Sequence, residues 1–193
     1  MSGSGTTLQA LLEAAEDVAW GAHVVAVGAD RSGTLAVDRA LERGISTFEL
    51  SVKDFASREE WDLALTDAVE QHDPTIVVCA GFMKLVGKHF LERLEGRTVN
   101  THPALSPSFP GMHGPREALE HGVKVTGCTL FVVDGGVDTG PIVAQSAVPV
   151  LDDDDEDSLH ERIKVVERQL LVDTIGRMAR EGFTVSGRRV TIP

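Results

Sequence analysis

Short apolar runs alternate along the first half of the chain with segments whose apolar residues recur at helical spacing. Residues 23–28 and 75–80 have the length and β-branched content of buried strands, whereas residues 7–18 repeat Leu and Ala on one helical face. Such alternation is typical of parallel strands joined by crossover helices. The pattern predicts an α/β fold with an open, mostly parallel twisted sheet and flanking helices.

The remaining pattern fills in this architecture without a repeat or a linker. Ser158 and Glu161 have the spacing of a capping box, which predicts that the last helix begins there and runs to about residue 181. We therefore expect one domain over residues 1–193. The other predicted helices are 35–43, 58–72, 85–94 and 116–121, and the other predicted strands are 46–50, 98–101, 125–133, 142–150 and a hairpin over 183–192.

The chain opens on Met-Ser-Gly-Ser-Gly-Thr-Thr and then a helix. Folds of this class normally begin with a strand that leads into the first glycine-rich loop, so we expect the natural start of the chain to lie upstream. Glycines before a helix let backbone amides approach an anion, and the helix dipole favours negative charge there. Gly5, Thr6 and Thr7 are thus candidate anion ligands. The alternative is an N-terminal tail that binds no ligand and ends in an ordinary helix cap.

Composition narrows the classes of partner. The chain has 30 acidic and 18 basic side chains, a formal net charge of −12, which disfavours a nucleic-acid surface. The apolar runs are too short to span a membrane, and no secretory signal is visible. Cys79 and Cys128 lie far apart in apolar runs, which is typical of buried thiols in a reducing compartment. We expect a cytoplasmic protein.

Two motifs carry chemistry. Asn100 and His102 are two residues apart on a predicted strand that Pro103 ends, so both face one side at its carboxyl end, where ligands of open α/β sheets bind. An amide beside an imidazole can stabilise an oxyanion and move a proton. Asp138, in a turn after an apolar run, could orient the imidazole. The alternatives are a loop histidine held by backbone and a plain turn aspartate.

The histidines also invite a test for a metal site. The spacing of His102, His113, His121 and Asp138 matches no common ligand pattern, so we expect no metal.

Taken together, the motifs resemble those of the phosphoribosylglycinamide formyltransferases. The resemblance covers residues 2–176 and rests on six segments in the order of that family: SGSGTTLQALL, SREEWD, VVCAGFMKLV, GRTVNTHPALSPSFPGMHG, GVKVTGCTLFVVDGGVDTGPIVAQ and LHERIKVVE.

This resemblance implies a Rossmann-like formyltransferase fold and direct transfer of a formyl group from 10-formyltetrahydrofolate to the amine of glycinamide ribonucleotide, in purine synthesis. No metal and no covalent enzyme intermediate are implied, and the partners are these small molecules, with a homodimer possible. Asn100, His102 and Asp138 match the catalytic residues. Residues matching the ribonucleotide site are Gly5, Thr6, Thr7, Lys164 and Glu167. Residues matching the folate site are Arg58, Met83, Lys84, Leu85, Val86, Asn100, Val133, Asp134, Val137 and Asp138.

Two positions depart from the family pattern, and other functions stay open. Thr7 stands where Asn is usual, and Ser106 stands where Leu is usual. Alternatives are a formyltetrahydrofolate hydrolase, an enzyme that formylates initiator transfer RNA, and a non-catalytic nucleotide-binding module. The net charge of −12 disfavours the RNA substrate. For Lys164 and Glu167, which lie three residues apart on a helix, the alternative to ribonucleotide binding is a surface ion pair.

Overall fold

The computed structural model describes residues 5–193, so the predicted loop residues Ser2, Gly3 and Ser4 lie outside the described range. The chain divides into two compact units, residues 1–98 and 99–193. The prediction of one domain over the whole chain stays a prediction. In residues 5–193, no helix combines the length and the apolar character needed to cross a bilayer.

The first unit alternates helices and strands as the sequence predicts. In chain order its elements are α1 (Thr6–Ala14), β1 (Ala26–Ala29), α2 (Leu35–Leu41), β2 (Ser46–Glu49), α3 (Arg58–Glu70), β3 (Val77–Cys79) and α4 (Lys88–Arg93), with short 3-10 helices at Val18–Trp20 and Val52–Asp54. β1 and β2 pair in parallel, with Ala26 opposite Ser46. Helix α2 crosses between them, which confirms the predicted strand–helix–strand unit.

Two apolar clusters hold this unit together. In one, Leu8 and Leu12 of α1 meet Val27 of β1 and the fully buried Ala36 and Ala40 of α2. Alanines at these two positions leave room for close approach of the helix. The second cluster joins α3 to α4 and contains Trp61, Leu65, Phe90 and Leu94.

The start of α4 corrects the predicted helix over 85–94. Gly87 is extended, and the helix begins at Lys88. The buried Asp62 carboxylate of α3 accepts hydrogen bonds from the backbone N–H groups of Gly87, His89 and Phe90, at 2.6, 3.0 and 3.2 Å. A carboxylate from a neighbouring helix therefore caps α4 and fixes where it begins.

The second unit is built on a mixed sheet. Its elements are β4 (Thr98–His102), α5 (Gly114–Glu120), β5 (Val125–Val132), β6 (Ile142–Pro149), α6 (Glu156–Glu181), β7 (Thr184–Ser186) and β8 (Arg189–Thr191). The strands lie in the order β4-β5-β6-β8-β7. β5 pairs antiparallel with both β4 and β6, and β6 pairs in parallel with β8. The α/β class is confirmed, and the sheet of this unit is mixed where a mostly parallel one was expected: β4–β5, β5–β6 and β7–β8 pair antiparallel, and β6–β8 pair in parallel.

Helix α6 covers one face of this sheet. Leu159 and Ile163 pack against Cys128 of β5 and Val148 of β6, and all four are at most 1% exposed.

The predicted capping box at the start of α6 is wrong in its residues. The N-cap is Asp155, whose carboxylate accepts from the Ser158 N–H at 2.8 Å, while the Ser158 hydroxyl accepts from the Asp155 N–H at 3.0 Å. Ser158 thus occupies the third helical position, and Glu161 pairs instead with Lys164. In the acidic run before α6, a carboxylate three residues earlier offers a better cap than the serine hydroxyl, because it carries full charge at the positive end of the helix.

We predict that Ile163→Ala lowers the free energy of unfolding by about 2 to 5 kcal/mol, because it leaves a cavity between α6 and the sheet. Val165, on the same helix but 60% exposed, supplies the control. Val165→Ala should stay within about 0.5 kcal/mol of the parent protein in urea unfolding. Equal effects of the two substitutions would contradict the packing described for α6.

Candidate active site

Strand β4 carries the predicted amide and imidazole to the same face. Asn100 lies opposite Phe131 and His102 opposite Thr129 in the antiparallel ladder with β5. The strand ends at His102, directly before Pro103, which has no N–H to continue the ladder. In residues 5–193, no hydrogen bond engages the side-chain amide of Asn100. Its two N–H donors are therefore available to a ligand.

His102 is 3% exposed and lies between two oxygen acceptors. Its Nδ1 is 3.3 Å from Oδ2 of Asp138, and its Nε2 is 2.7 Å from the carbonyl oxygen of Phe109. Since a carbonyl can only accept, Nε2 carries the hydrogen in this arrangement. A second hydrogen on Nδ1 would satisfy Asp138 as well. Both ring nitrogens of His102 are therefore engaged, Nε2 by the Phe109 carbonyl and Nδ1 by Asp138.

Asp138 is held from two sides. It lies in the loop between β5 and β6, with a positive φ of 54° that is rare for a residue other than glycine. Its Oδ2 accepts from the N–H of Gly111 at 2.8 Å. Within the same loop, Asp134 accepts from the Gly136 N–H at 3.0 Å and from the Thr139 hydroxyl at 2.7 Å. These contacts hold the loop and the Asp138 carboxylate in the position from which it reaches His102.

The proline-rich loop after β4 is anchored by a buried threonine. The Thr129 hydroxyl donates to the carbonyl of Ala104 at 2.7 Å and accepts from the Ser106 N–H at 3.0 Å. Gln145 Nε2 reaches both the Thr129 hydroxyl and the Ser106 carbonyl at 3.0 Å. These contacts hold the loop that supplies Phe109 and Gly111 to the His102–Asp138 pair.

Glu167 of α6 contacts β4 from the other face. The hydroxyl of Thr101 donates to its Oε1 at 3.0 Å. Burial raises the pKa of Glu167 above its usual value, and the Thr101 hydrogen bond, Arg168 and Lys164 lower it by less. Lys164 itself pairs with Glu161 at 2.6 Å, so the alternative of a surface pair between Lys164 and Glu167 is not what the helix forms.

The predicted anion ligands lie at the start of α1. Gly5 is the N-cap residue of the helix, with a φ of 68°, and as a glycine it has no side chain to accept from the first helical N–H groups. A Cβ atom at Gly5 would come within 3.1 Å of the Arg39 guanidinium and 3.3 Å of Cα of Ala36. Glycine is required here for both conformation and space. The N-terminal amides of the helix carry the positive end of its dipole, which favours an anion at this position.

The predicted folate residues of the first unit form a loop and its support. Arg58 donates to the carbonyl of Leu85, and its guanidinium lies 4.8 Å from the centre of the Trp61 ring. Met83 and Leu85 are 60% and 61% exposed, whereas Val86 packs against the apolar cluster between α3 and α4. The loop therefore presents apolar side chains and backbone polar groups on a fixed base.

The structure brings together some predicted residues and adds others that the sequence did not single out. Asn100, His102 and Asp138 belong to the second unit, as do Lys164 and Glu167. The additions are Asp62, Thr101, Phe109 and Gly111, which hold predicted residues or their loops in place. All four lie within the family segments quoted above, which was the signal available for them. In residues 5–193, no group of three or more His, Cys, Asp or Glu side chains is arranged to hold a metal ion.

Comparison with known proteins agrees with this geometry. The profile of the formyl transferase family matches residues 1–175, which places the chain in that class of enzymes. A phosphoribosylglycinamide formyltransferase of Mycobacterium tuberculosis H37Rv is 53% identical over 191 residues, covering 99% of this chain and 88% of that protein. The corresponding enzyme of Escherichia coli K12 is 35% identical over 170 residues, covering 88% and 80% of the two chains. The chain belongs to the phosphoribosylglycinamide formyltransferase family.

A solved structure supports the same assignment at the level of the fold. The crystal structure of glycinamide ribonucleotide transformylase 1 from Symbiobacterium toebii superposes with a TM-score of 0.95 at 38% identity, covering 100% of this chain and 91% of the other. The fold expected from the resemblance is thereby confirmed.

The raised pKa of Glu167 predicts a pH-dependent cost to stability. The folded chain holds a proton on Glu167 more tightly than the unfolded chain, whose carboxyl has the usual pKa of 4.5. As pH rises from 4.5 through the folded value, the ionised carboxyl therefore destabilises the fold. Glu167→Gln removes this cost, so we expect it to raise the melting temperature relative to the parent more at pH 8 than at pH 4.

Glu161 provides a control of opposite sign on the same helix. Lys164 lowers its pKa, first by a hydrogen bond and then by charge. Its ionised form therefore adds stability above pH 4.5, which falls away as pH drops through the lowered value, and Glu161→Gln should lose that contribution at pH 8. The same pH trend in both variants would contradict the burial of Glu167.

Proposed function

We propose that this chain transfers the formyl group of 10-formyltetrahydrofolate to the amine of 5′-phosphoribosylglycinamide, with Asn100, His102 and Asp138 as catalytic residues. The observation that carries the proposal is the buried His102–Asp138 pair, 3.3 Å apart, on the strand that also presents Asn100. The family assignment supplies the reaction class, and the geometry supplies groups for each charge that the reaction develops.

The chemistry requires an oxyanion to be stabilised and a proton to be moved. The neutral amine attacks the formyl carbon, a C–N bond forms, and the formyl oxygen takes up the electron pair. The Asn100 amide donates to this oxyanion, and the imidazolium form of His102 provides a second donor once its Nε2 exchanges the Phe109 carbonyl for the substrate. The new bond leaves a proton on the attacking nitrogen, and N10 of the folate needs one as the C–N10 bond breaks. His102 carries that proton, and Asp138 holds the ring in position throughout.

The ribonucleotide roles follow from charge and hydrogen-bonding capacity. We assign the phosphate to the backbone N–H groups of Gly5, Thr6 and Thr7 at the start of α1, with the Thr6 and Thr7 hydroxyls as further donors. We assign the ribose hydroxyls to Glu167, because a carboxylate can accept two such hydrogen bonds. We assign a further contact with the ribonucleotide to Lys164.

The folate roles rest on the fit of the loop residues to a flat, polar-edged ring system. Exposed Met83 and Leu85 offer apolar surface, and the backbone of residues 83–86, including Lys84 and Val86, offers hydrogen-bonding groups. Arg58 supports this loop through the Leu85 carbonyl. In the second unit, Val133, Asp134 and Val137 flank Asp138 in one loop, and we assign these residues to the folate as well. We further propose a cytoplasmic enzyme that needs no metal, with a homodimer possible.

The proposal predicts that His102→Ala and Asp138→Asn fold normally and lose about 100-fold or more in kcat, with KM for either substrate changed little. Asparagine keeps an oxygen acceptor for the Gly111 N–H, which protects the loop. His23, exposed in the first unit, serves as the control, and His23→Ala should retain full turnover. Turnover is followed by absorbance of the released folate, and near-parent activity in either catalytic variant would refute the assignment.

The same assay separates the alternative functions. Release of tetrahydrofolate only when glycinamide ribonucleotide is present supports the transferase. Equal release without it would support a hydrolase, and binding of the ribonucleotide with no release would support a non-catalytic module.

A further inference from the structure

Thr101 lies between the two predicted catalytic residues of β4 but faces the opposite side. Because side chains alternate along a strand, Asn100 and His102 share one face and Thr101 shares the other with the buried Cys128 and Leu130 of β5. This second face is the one that α6 covers, through the packing of Leu159 and Ile163 on Cys128. The Thr101 hydroxyl is therefore directed toward α6 and away from the imidazole.

The hydrogen bond from Thr101 leaves Glu167 half engaged. Oε1 of Glu167 accepts from the Thr101 hydroxyl at 3.0 Å. In residues 5–193, Oε2 of Glu167 has no hydrogen-bond partner. A hydroxyl hydrogen bond to one oxygen restrains the position of that oxygen and leaves the acceptor sites of the other oxygen open.

Charged groups also lie around Glu167, but none of those named below donates a hydrogen bond to its carboxylate as Thr101 does. Lys164 and Arg168 are the cations of α6 that face it, and Lys164 is bound to Glu161 at 2.6 Å. From β5 it faces Cys128, whose thiol pKa is raised to about 12 by burial and by the charge of Glu167. That thiol is therefore neutral at physiological pH. Thr101 is the group from β4, and its contact with Glu167 is a direct hydrogen bond.

We propose that Thr101 is a positioning residue for ribonucleotide binding, which holds the Glu167 carboxylate so that its second oxygen accepts hydrogen bonds from the ribose hydroxyls. The inference rests on the proposed role of Glu167. It extends that role to a residue that does not touch the substrate and that the sequence pattern did not identify.

The bond also predicts a pH signature that a packing role would lack. A donor to the carboxylate favours its ionised form, which is the form that accepts from two hydroxyls. Thr101→Val keeps the shape of the side chain and removes the donor. The pH below which the KM for the ribonucleotide rises should therefore move upward in Thr101→Val.

The experiment measures kcat and the KM of each substrate from pH 5 to 9 in Thr101→Val, Thr101→Ser and Thr126→Val. We expect Thr101→Val to raise the KM for glycinamide ribonucleotide about tenfold, the scale of one lost hydrogen bond to a charged group. If Thr101 acts only on ribonucleotide binding, Thr101→Val should change kcat and the KM for formyl-folate by less than about twofold. Thr101→Ser keeps the hydroxyl and should have the parent values.

Thr126 is the matched control, because it is a buried threonine of β5 whose hydroxyl has no hydrogen-bond partner among residues 5–193. Thr126→Val should leave both KM values and the pH profile unchanged. A Thr101→Val enzyme with the parent KM and pH profile overturns the inference. So does one in which kcat and both KM values change together without rescue by serine, because that result indicates a merely structural role.

Glu167→Gln separates failure of the inference from failure of the proposed function. If Glu167→Gln raises the KM for the ribonucleotide and Thr101→Val does not, Glu167 keeps its assigned role and only the inference on Thr101 is overturned. If Glu167→Gln leaves that KM unchanged, the assignment of Glu167 to the ribose fails, and the inference fails with it.

Discussion

The contact between His102 and Asp138 joins the two loops that form the candidate site of the second unit. An imidazole that is 3% exposed cannot carry charge unless a carboxylate or several dipoles compensate it. Asp138 and the Phe109 carbonyl provide that compensation from two loops that are distant in sequence. The loops meet at the Gly111 N–H, which donates to the same Asp138 oxygen that faces the ring. Each loop is thus held in place by the other.

Strand β4 divides the chemistry between its two faces. One face presents Asn100 and His102, and the other presents Thr101 to Glu167 of α6. Because side chains alternate with a period of two, a shift of one residue in the pairing with β5 would exchange these faces. The register is fixed by the buried residues of β5 from Thr126 to Val132, which are covered on both sides. Core packing therefore determines which side chains each face of β4 presents.

The sequence was sufficient for those parts of the site that depend on periodicity. Alternation along residues 98–102 placed Asn100 and His102 together, and the strand–helix pattern predicted the parallel pair β1 and β2. It was not sufficient where the outcome depends on long-range backbone geometry. The positive φ of Phe109 has no signature in residue type, and that of Asp138 has only a weak one, because aspartate adopts this conformation more readily than most residues. The cap of α6 was assigned to Ser158 instead of Asp155 because a run of acids contains several possible caps, and local spacing alone does not rank them.

Asp62, which is buried, and Glu167, which is half-buried, are carboxylates whose hydrogen bonding differs. Asp62 accepts three backbone N–H groups at the start of α4 and has its bonding capacity largely filled. Glu167 accepts one bond from Thr101, and burial raises its pKa. A carboxylate that only stabilised the fold would gain from more donors, since each unfilled acceptor in a poorly solvated place costs free energy. Burial of the ionised Glu167 carboxylate is therefore a cost to folding that hydrogen bonds from a ligand would offset, whereas the backbone N–H groups at the start of α4 already satisfy Asp62.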